Sequence, residues 1–130
     1  MSFIVCHSMC YAYAIGMIEN LKGKINFGRF YIIAPENACS GGSDWTLFTE
    51  VWQYGSNLDQ PNPDIVGKQD GVAPQCECSG ISNTYIKTKT GRVFIPNGAA
   101  KGFGTSHSVG NYKWIFNRTQ QQSGYVKTRN

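Results

Sequence analysis

The second part of this sequence lacks acidic side chains altogether. All eight Asp and Glu residues lie at or before Glu77, whereas eight of the twelve Lys and Arg residues follow it. Residues 1–77 have four basic against eight acidic side chains, a formal charge of −4, and residues 78–130 have a formal charge of +8. Such a separation of charge is typical of a surface that meets a polyanion or an acidic neighbour. It indicates a partner and does not name a reaction.

Leucine is also scarce, since it occurs only as Leu21, Leu47 and Leu58, whereas glycine is frequent with 15 residues. Helix-favouring residues are therefore few relative to the residues that favour strands and turns. We predict one all-β domain over residues 1–130, an antiparallel β-sandwich or barrel of about six to eight strands. At most one short helix is expected, between Ala12 and Lys24, where Ile15, Ile18 and Leu21 recur at a spacing of three.

Aromatic and β-branched runs bounded by Gly, Pro or Asn indicate the strands. They cover residues 28–34, 45–54, 84–90, 92–96, 112–117 and 124–128. Gly91 separates two of these runs, which predicts a hairpin with its turn at that glycine. Residues 55–80 have three prolines and almost no periodicity, so we expect a long irregular loop there.

No apolar run in the sequence is long enough to cross a membrane. The longest candidate, Phe3 to Ile18, is shorter than the roughly 20 residues required and contains His7, Ser8 and Gly16. No basic residue precedes it, as a secretory signal peptide would require. We therefore predict synthesis in the cytoplasm, without a membrane span, and interpret this segment as part of the fold.

The five cysteines cannot all pair within one chain because their number is odd. Cys6 and Cys10 are separated by three residues, and Cys76 and Cys78 by only one. A pair separated by one residue lies below the spacing that structural zinc sites use. The sequence therefore predicts no metal site and no cofactor, and it favours buried free thiols at positions 6, 10 and 39.

The basic half interleaves its charges with aromatic residues, a pattern that suits single-stranded nucleic acid. Lysines and arginines would neutralise phosphates while bases stack on the aromatic rings. The candidate binding residues are Tyr85, Lys87, Lys89, Arg92, Lys113, Trp114 and Arg118. The alternative is that the aromatic residues form the core and the charges form an ordinary solvated face.

Only two histidines are present, so candidates for acid–base catalysis are few. Glu77, Arg92 and His107 supply a base, a phosphate clamp and an acid, which together suit a metal-independent ribonuclease. A thiol nucleophile at Cys6 or Cys10 with His107 as its base is a second enzymatic hypothesis. The glycine-flanked serine motif of the nucleophile elbow is absent.

The composition favours a third class of function over both of these. Low leucine, many small polar residues and a separation of charge suit a non-enzymatic assembly or adhesion module, such as a component of a viral or phage head, tail or fibre. The acidic part of one subunit would meet the basic part of the next, giving a homo-oligomer or an assembly with other structural subunits. Nucleic-acid binding and ribonuclease activity are the alternatives.

Overall fold

A computed structural model of the chain describes residues 2–36, 38, 41–55, 76–81, 89–96 and 107–127. Its centre is a four-stranded sheet in which every neighbouring pair is parallel and the strand order follows the chain. The strands are β1 (Ser2–His7), β2 (Phe27–Ile33), β3 (Glu50–Gly55) and β4 (Lys89–Phe94). Helix α1 (Cys10–Leu21) connects β1 to β2, and 3-10 helices span Trp45–Leu47 and Val109–Asn117.

The prediction of an antiparallel all-β sandwich or barrel is therefore wrong, because the sheet is parallel and the fold is an α/β mixture. The strands of a parallel sheet are covered on both faces, so they are apolar on both faces and resemble core strands of a sandwich in composition. The structural-protein interpretation, with its viral or phage assembly, started from an all-β composition. It loses that basis, because the fold is an α/β mixture.

Helix α1 confirms the one helix that the sequence predicts. Tyr11, Ala14 and Ile18 are spaced by three and four residues, so they lie on one face of the helix, and all three are buried. The helix ends where the Lys22 N–H donates to the Ile18 carbonyl at 2.9 Å and Gly23 turns the chain with a φ of +80°. Its buried face packs against the sheet and forms the first half of the core.

The two faces of the sheet are covered by different parts of the chain. Phe30, Ile32 and Val51 point to the face that carries α1, Trp45, Phe48, Cys78 and Ile81. All three connections between strands contribute to this face, as expected when successive parallel strands are joined by crossovers of one hand. The alternate residues Tyr31, Trp52 and Tyr54 point to the opposite face.

The opposite face is covered by residues 107–127, which we call the covering segment. Its buried Tyr112 and Ile115 pack on Tyr54 and Val93 of the sheet. The sequence predicts strands at 112–117 and 124–128, and both predictions are wrong, since 112–117 lies within a 3-10 helix and 124–127 has no strand. The aromatic residues there are buried by packing on the sheet and not by pairing within it.

The predicted hairpin at Gly91 is also wrong. Gly91 lies inside β4 and pairs with Trp52 of β3 in the parallel register. A Cβ at this position would approach the Trp52 ring to 3.2 Å, so the glycine makes room for the indole. The companion run 84–88 and most of the predicted loop, residues 56–75, lie outside the described residues.

The covering segment leaves β1 partly bare. Phe3 and Val5, which share its outward face, are 58% and 65% exposed. They form one wall of an apolar groove of about 330 Å³, whose other wall includes Val109 and Phe116. Within the part of the chain that the structure describes, no helix is long and apolar enough to span a bilayer.

Candidate active site

The turn between β1 and α1 contains a residue with an unusual backbone conformation, Ser8. Ser8 follows the last residue of β1 and has a φ of +59°, a region that residues other than glycine rarely occupy. Three backbone hydrogen bonds fix it: its N–H donates to Ile33, and its carbonyl accepts from Tyr11 and Glu36. Strain of this kind persists only where the surroundings enforce it, and it occurs often at active sites.

The side chain of Ser8 meets the imidazole of His107. Its Oγ lies 2.6 Å from His107 Nε2, a hydrogen bond between residues 99 positions apart. His107 is 8% exposed and begins the covering segment, so the bond joins the first strand of the sheet to the layer that closes its far face. The contact lies at the carboxyl end of β1, the edge where parallel α/β sheets place their ligand sites.

A serine and an imidazole in this geometry can perform nucleophilic chemistry. When Oγ donates its proton to Nε2, His107 must carry its own proton on Nδ1, and the ring is then a base aimed at the hydroxyl. A serine hydroxyl is a weak nucleophile until such a base removes its proton. The pair therefore has the two parts that acyl transfer requires.

His7 lies beside this pair and contacts the same histidine. Its Nε2 lies 2.6 Å from the main-chain carbonyl oxygen of His107, and the two ring centroids are 5.3 Å apart. Because a carbonyl only accepts, His7 is the donor through its Nε2–H. Two neighbouring residues, His7 and Ser8, thus contact one residue that lies about 100 positions away in the sequence.

The strand–turn–helix path around Ser8 is that of a nucleophile elbow, in which a strained turn presents the nucleophile above the sheet. The common motif has glycine two residues before and two residues after the serine. This chain has Cys6 and Cys10 at those positions, so a search for the glycines misses the serine. The signal that could find it is a serine directly between a β-rich run and a helical pattern.

The structure gives the two cysteines different environments. Cys6 is a buried free thiol, and burial, with a smaller effect of Cys78, raises its pKa far above the ordinary value. A raised pKa keeps the thiol protonated and weakly nucleophilic. Cys10 is exposed and free. The hydroxyl of Ser8 lies at hydrogen-bond distance from His107 Nε2.

The residues of the ribonuclease hypothesis lie in two places. Arg92 is on β4 with its guanidinium 4.8 Å from the centre of the Phe94 ring. Arg92 and Glu77 both act on Cys78: burial chiefly raises the pKa of that thiol to about 12, the arginine lowers it and the glutamate raises it. His107 contacts β1, at the other side of the sheet order from β4.

The candidate nucleic-acid residues are spread over β4 and the covering segment. Lys89 begins β4 and Lys113 is exposed in the 3-10 helix. Trp114 packs edge-on against Tyr54, with ring centroids 6.1 Å apart, and Arg118 donates to the Ser123 carbonyl at 2.5 Å. Tyr85 and Lys87 lie outside the described residues, and nucleic-acid binding stays a prediction.

Metal ligands do not cluster in the described ranges: no three His, Cys, Asp or Glu residues there are arranged to hold an ion. Cys76 is disulfide-bonded, whereas Cys78 is a buried free thiol. The backbone between them is held by Gln53, whose amide donates to the Cys76 carbonyl and accepts from the Cys78 N–H, both at 2.8 Å.

Comparison with known proteins assigns no family to this arrangement. No family model, no curated protein and no solved structure matches the chain. Function is therefore inferred from the site alone.

Proposed function

We propose that this chain is a serine hydrolase, an enzyme that transfers an acyl group from an ester or amide first to Ser8 and then to water. The observation that carries the proposal is the 2.6 Å hydrogen bond between Ser8 Oγ and His107 Nε2 at a strained turn between strand and helix. The strained backbone supports a functional role for this serine, because such strain costs about 1–3 kcal/mol and occurs often at active sites.

The reaction follows from the two side chains. Ser8 Oγ attacks the carbonyl carbon of the substrate while His107 Nε2 accepts the hydroxyl proton. His107 then gives that proton to the leaving alcohol or amine as its bond to carbon breaks, and the acyl group remains on Ser8. Water attacks the acyl-serine with His107 again as base, which releases the acid and restores the hydroxyl.

The negative oxygen of the tetrahedral intermediate requires a donor near Ser8. We assign this role to the backbone N–H of Met9, the residue that follows the nucleophile and occupies the N-cap position of α1. The first N–H groups of a helix have no partner within it, and the helix dipole favours negative charge at that end. A donor of this kind contributes about 10²- to 10³-fold to kcat.

A fluorophosphonate probe tests the nucleophile directly, because it forms a stable bond with an activated serine. We expect the probe mass on the tryptic peptide 1–22 of the native protein, and no labelling of the Ser8→Ala or His107→Ala variants. Hydrolysis of a p-nitrophenyl ester should fall about 10³-fold or more in both variants. Ser108→Ala, an exposed serine next to His107, is the matched control and should keep full labelling.

The Cys10→Ala variant tests the alternative in which a thiol is the nucleophile. We expect this variant to keep both fluorophosphonate labelling and ester hydrolysis. If Ser8→Ala is labelled as fast as the native protein while thermal unfolding shows both to be folded, the proposal is wrong.

A further inference from the structure

His7, the last residue of β1, contacts the main-chain carbonyl of His107. We propose that His7 is a positioning residue for the proposed reaction: its Nε2–H holds the His107 carbonyl, and this keeps the His107 ring within reach of Ser8. The inference rests on the proposed function, because it assigns the residue that supports the Ser8–His107 pair.

The geometry of the two hydrogen bonds carries this inference. His7 binds the main chain of His107 at 2.6 Å, and the adjacent Ser8 binds its ring at 2.6 Å. One bond fixes where the backbone of the base lies, and the other fixes where its ring points. Two attachments from consecutive residues restrict His107 in position and in direction, which a single bond to the ring would not do.

The strand period explains why a histidine is suited to this position. Phe3, Val5 and His7 alternate onto the outward face of β1, towards the covering segment. An apolar residue at position 7 could fill the space beside the His107 ring, whose centroid is 5.3 Å away, but it would provide no donor for the carbonyl. Packing and donation can therefore be separated by substitution.

The central experiment compares His7→Leu, which removes the donor, with His7→Gln, whose amide N–H can replace it. We expect His7→Leu to lower kcat and the rate of fluorophosphonate labelling by about 10- to 100-fold with KM little changed, since small misplacements of a catalytic group cost rates of that order. His7→Gln should recover most of the loss. A purely structural role would lower both variants alike, in parallel with their melting temperatures.

Nuclear magnetic resonance of the native protein gives a test that needs no variant. The chain has only two histidines, so the spectrum of imidazole ¹H–¹⁵N signals contains only two rings to assign. At a pH where both rings are neutral, His7 should carry its proton on Nε2 and His107 on Nδ1. A neutral His7 protonated on Nδ1 overturns the inference, because the donating bond would then not exist.

The outcomes also separate this inference from the proposed function. If the native protein is not labelled by the probe, the proposed function fails and the role of His7 fails with it. If the native protein is labelled and His7→Leu reacts equally fast, or His7→Gln falls as far as His7→Leu, the role of His7 alone is refuted.

Discussion

Replacing Ser8 by alanine and by glycine separates the strain in its backbone from the contacts of its side chain. Both variants lose the hydrogen bond to His107, so that loss cancels when the two are compared. They differ in backbone freedom, because a φ of +59° costs an L-residue about 1–2 kcal/mol and costs glycine almost nothing. Glycine also has a more flexible unfolded chain, which offsets about 0.4–1 kcal/mol.

The midpoints of these two ranges predict that Ser8→Gly is more stable than Ser8→Ala by about 0.8 kcal/mol. Ala12 is the control, since it is exposed within α1, where glycine is about 1 kcal/mol less favourable than alanine. Alanine should therefore be the more stable residue at position 12 and the less stable residue at position 8. Because the two positions are expected to differ in opposite directions, a general effect of glycine on stability cannot explain both differences.

Urea unfolding followed by tryptophan fluorescence measures both comparisons under one set of conditions. Equal slopes against urea would indicate that the unfolded states are comparable. If Ser8→Ala proves as stable as Ser8→Gly, or more stable, the turn is not strained at Ser8, and the comparison with a nucleophile elbow fails with it.

Three further predictions concern the buried Gln53 and the free cysteines. Gln53→Leu should lower the free energy of unfolding by about 1–3 kcal/mol, because the buried N–H of Cys78 and the half-buried carbonyl of Cys76 lose their partner; a change below about 0.5 kcal/mol would contradict this. Iodoacetamide should modify the exposed Cys10 in the native protein and reach Cys6 and Cys78 only in urea, as measured by mass spectrometry. Burial raises the pKa of Cys78 from 9.0 to about 12, so the unfolded state loses its proton first, and stability should fall as the pH rises from 9.0 towards 12. A fall in stability that is equally large in the native protein and in a Cys78→Ala variant would contradict the assignment to Cys78.

Local periodicity was sufficient to predict α1 and β2, and the predicted runs 45–54 and 92–96 overlap β3 and β4. The spacing of Ile15, Ile18 and Leu21 predicts α1, and the run from Gly28 to Ala34 predicts β2, because each pattern is decided by neighbouring residues. The direction of strand pairing is decided by connections, and apolar runs do not record it. The run Tyr112 to Asn117 has strand composition but packs flat on the sheet as a 3-10 helix, so its prediction failed.

The site was predictable only in part for the same reason. His107 stood out because the chain has two histidines, but nothing local indicates that it meets Ser8 across 99 positions. Cys6 and Cys10 also occupy the two positions at which glycine usually marks a strained nucleophilic serine. Long-range contacts of this kind depend on the sheet order and on which face each segment covers.

The distance in sequence between Ser8 and His107 also has a consequence for synthesis. His107 follows Ser8 by 99 positions, so the two side chains can meet only after the whole stretch between them has been synthesised. The bond between them closes a loop of about one hundred residues, and the packing of the covering segment on the sheet offsets the entropic cost of that closure. Reactivity at Ser8 would therefore report a finished molecule, and a chain released early would carry the serine in an inert form.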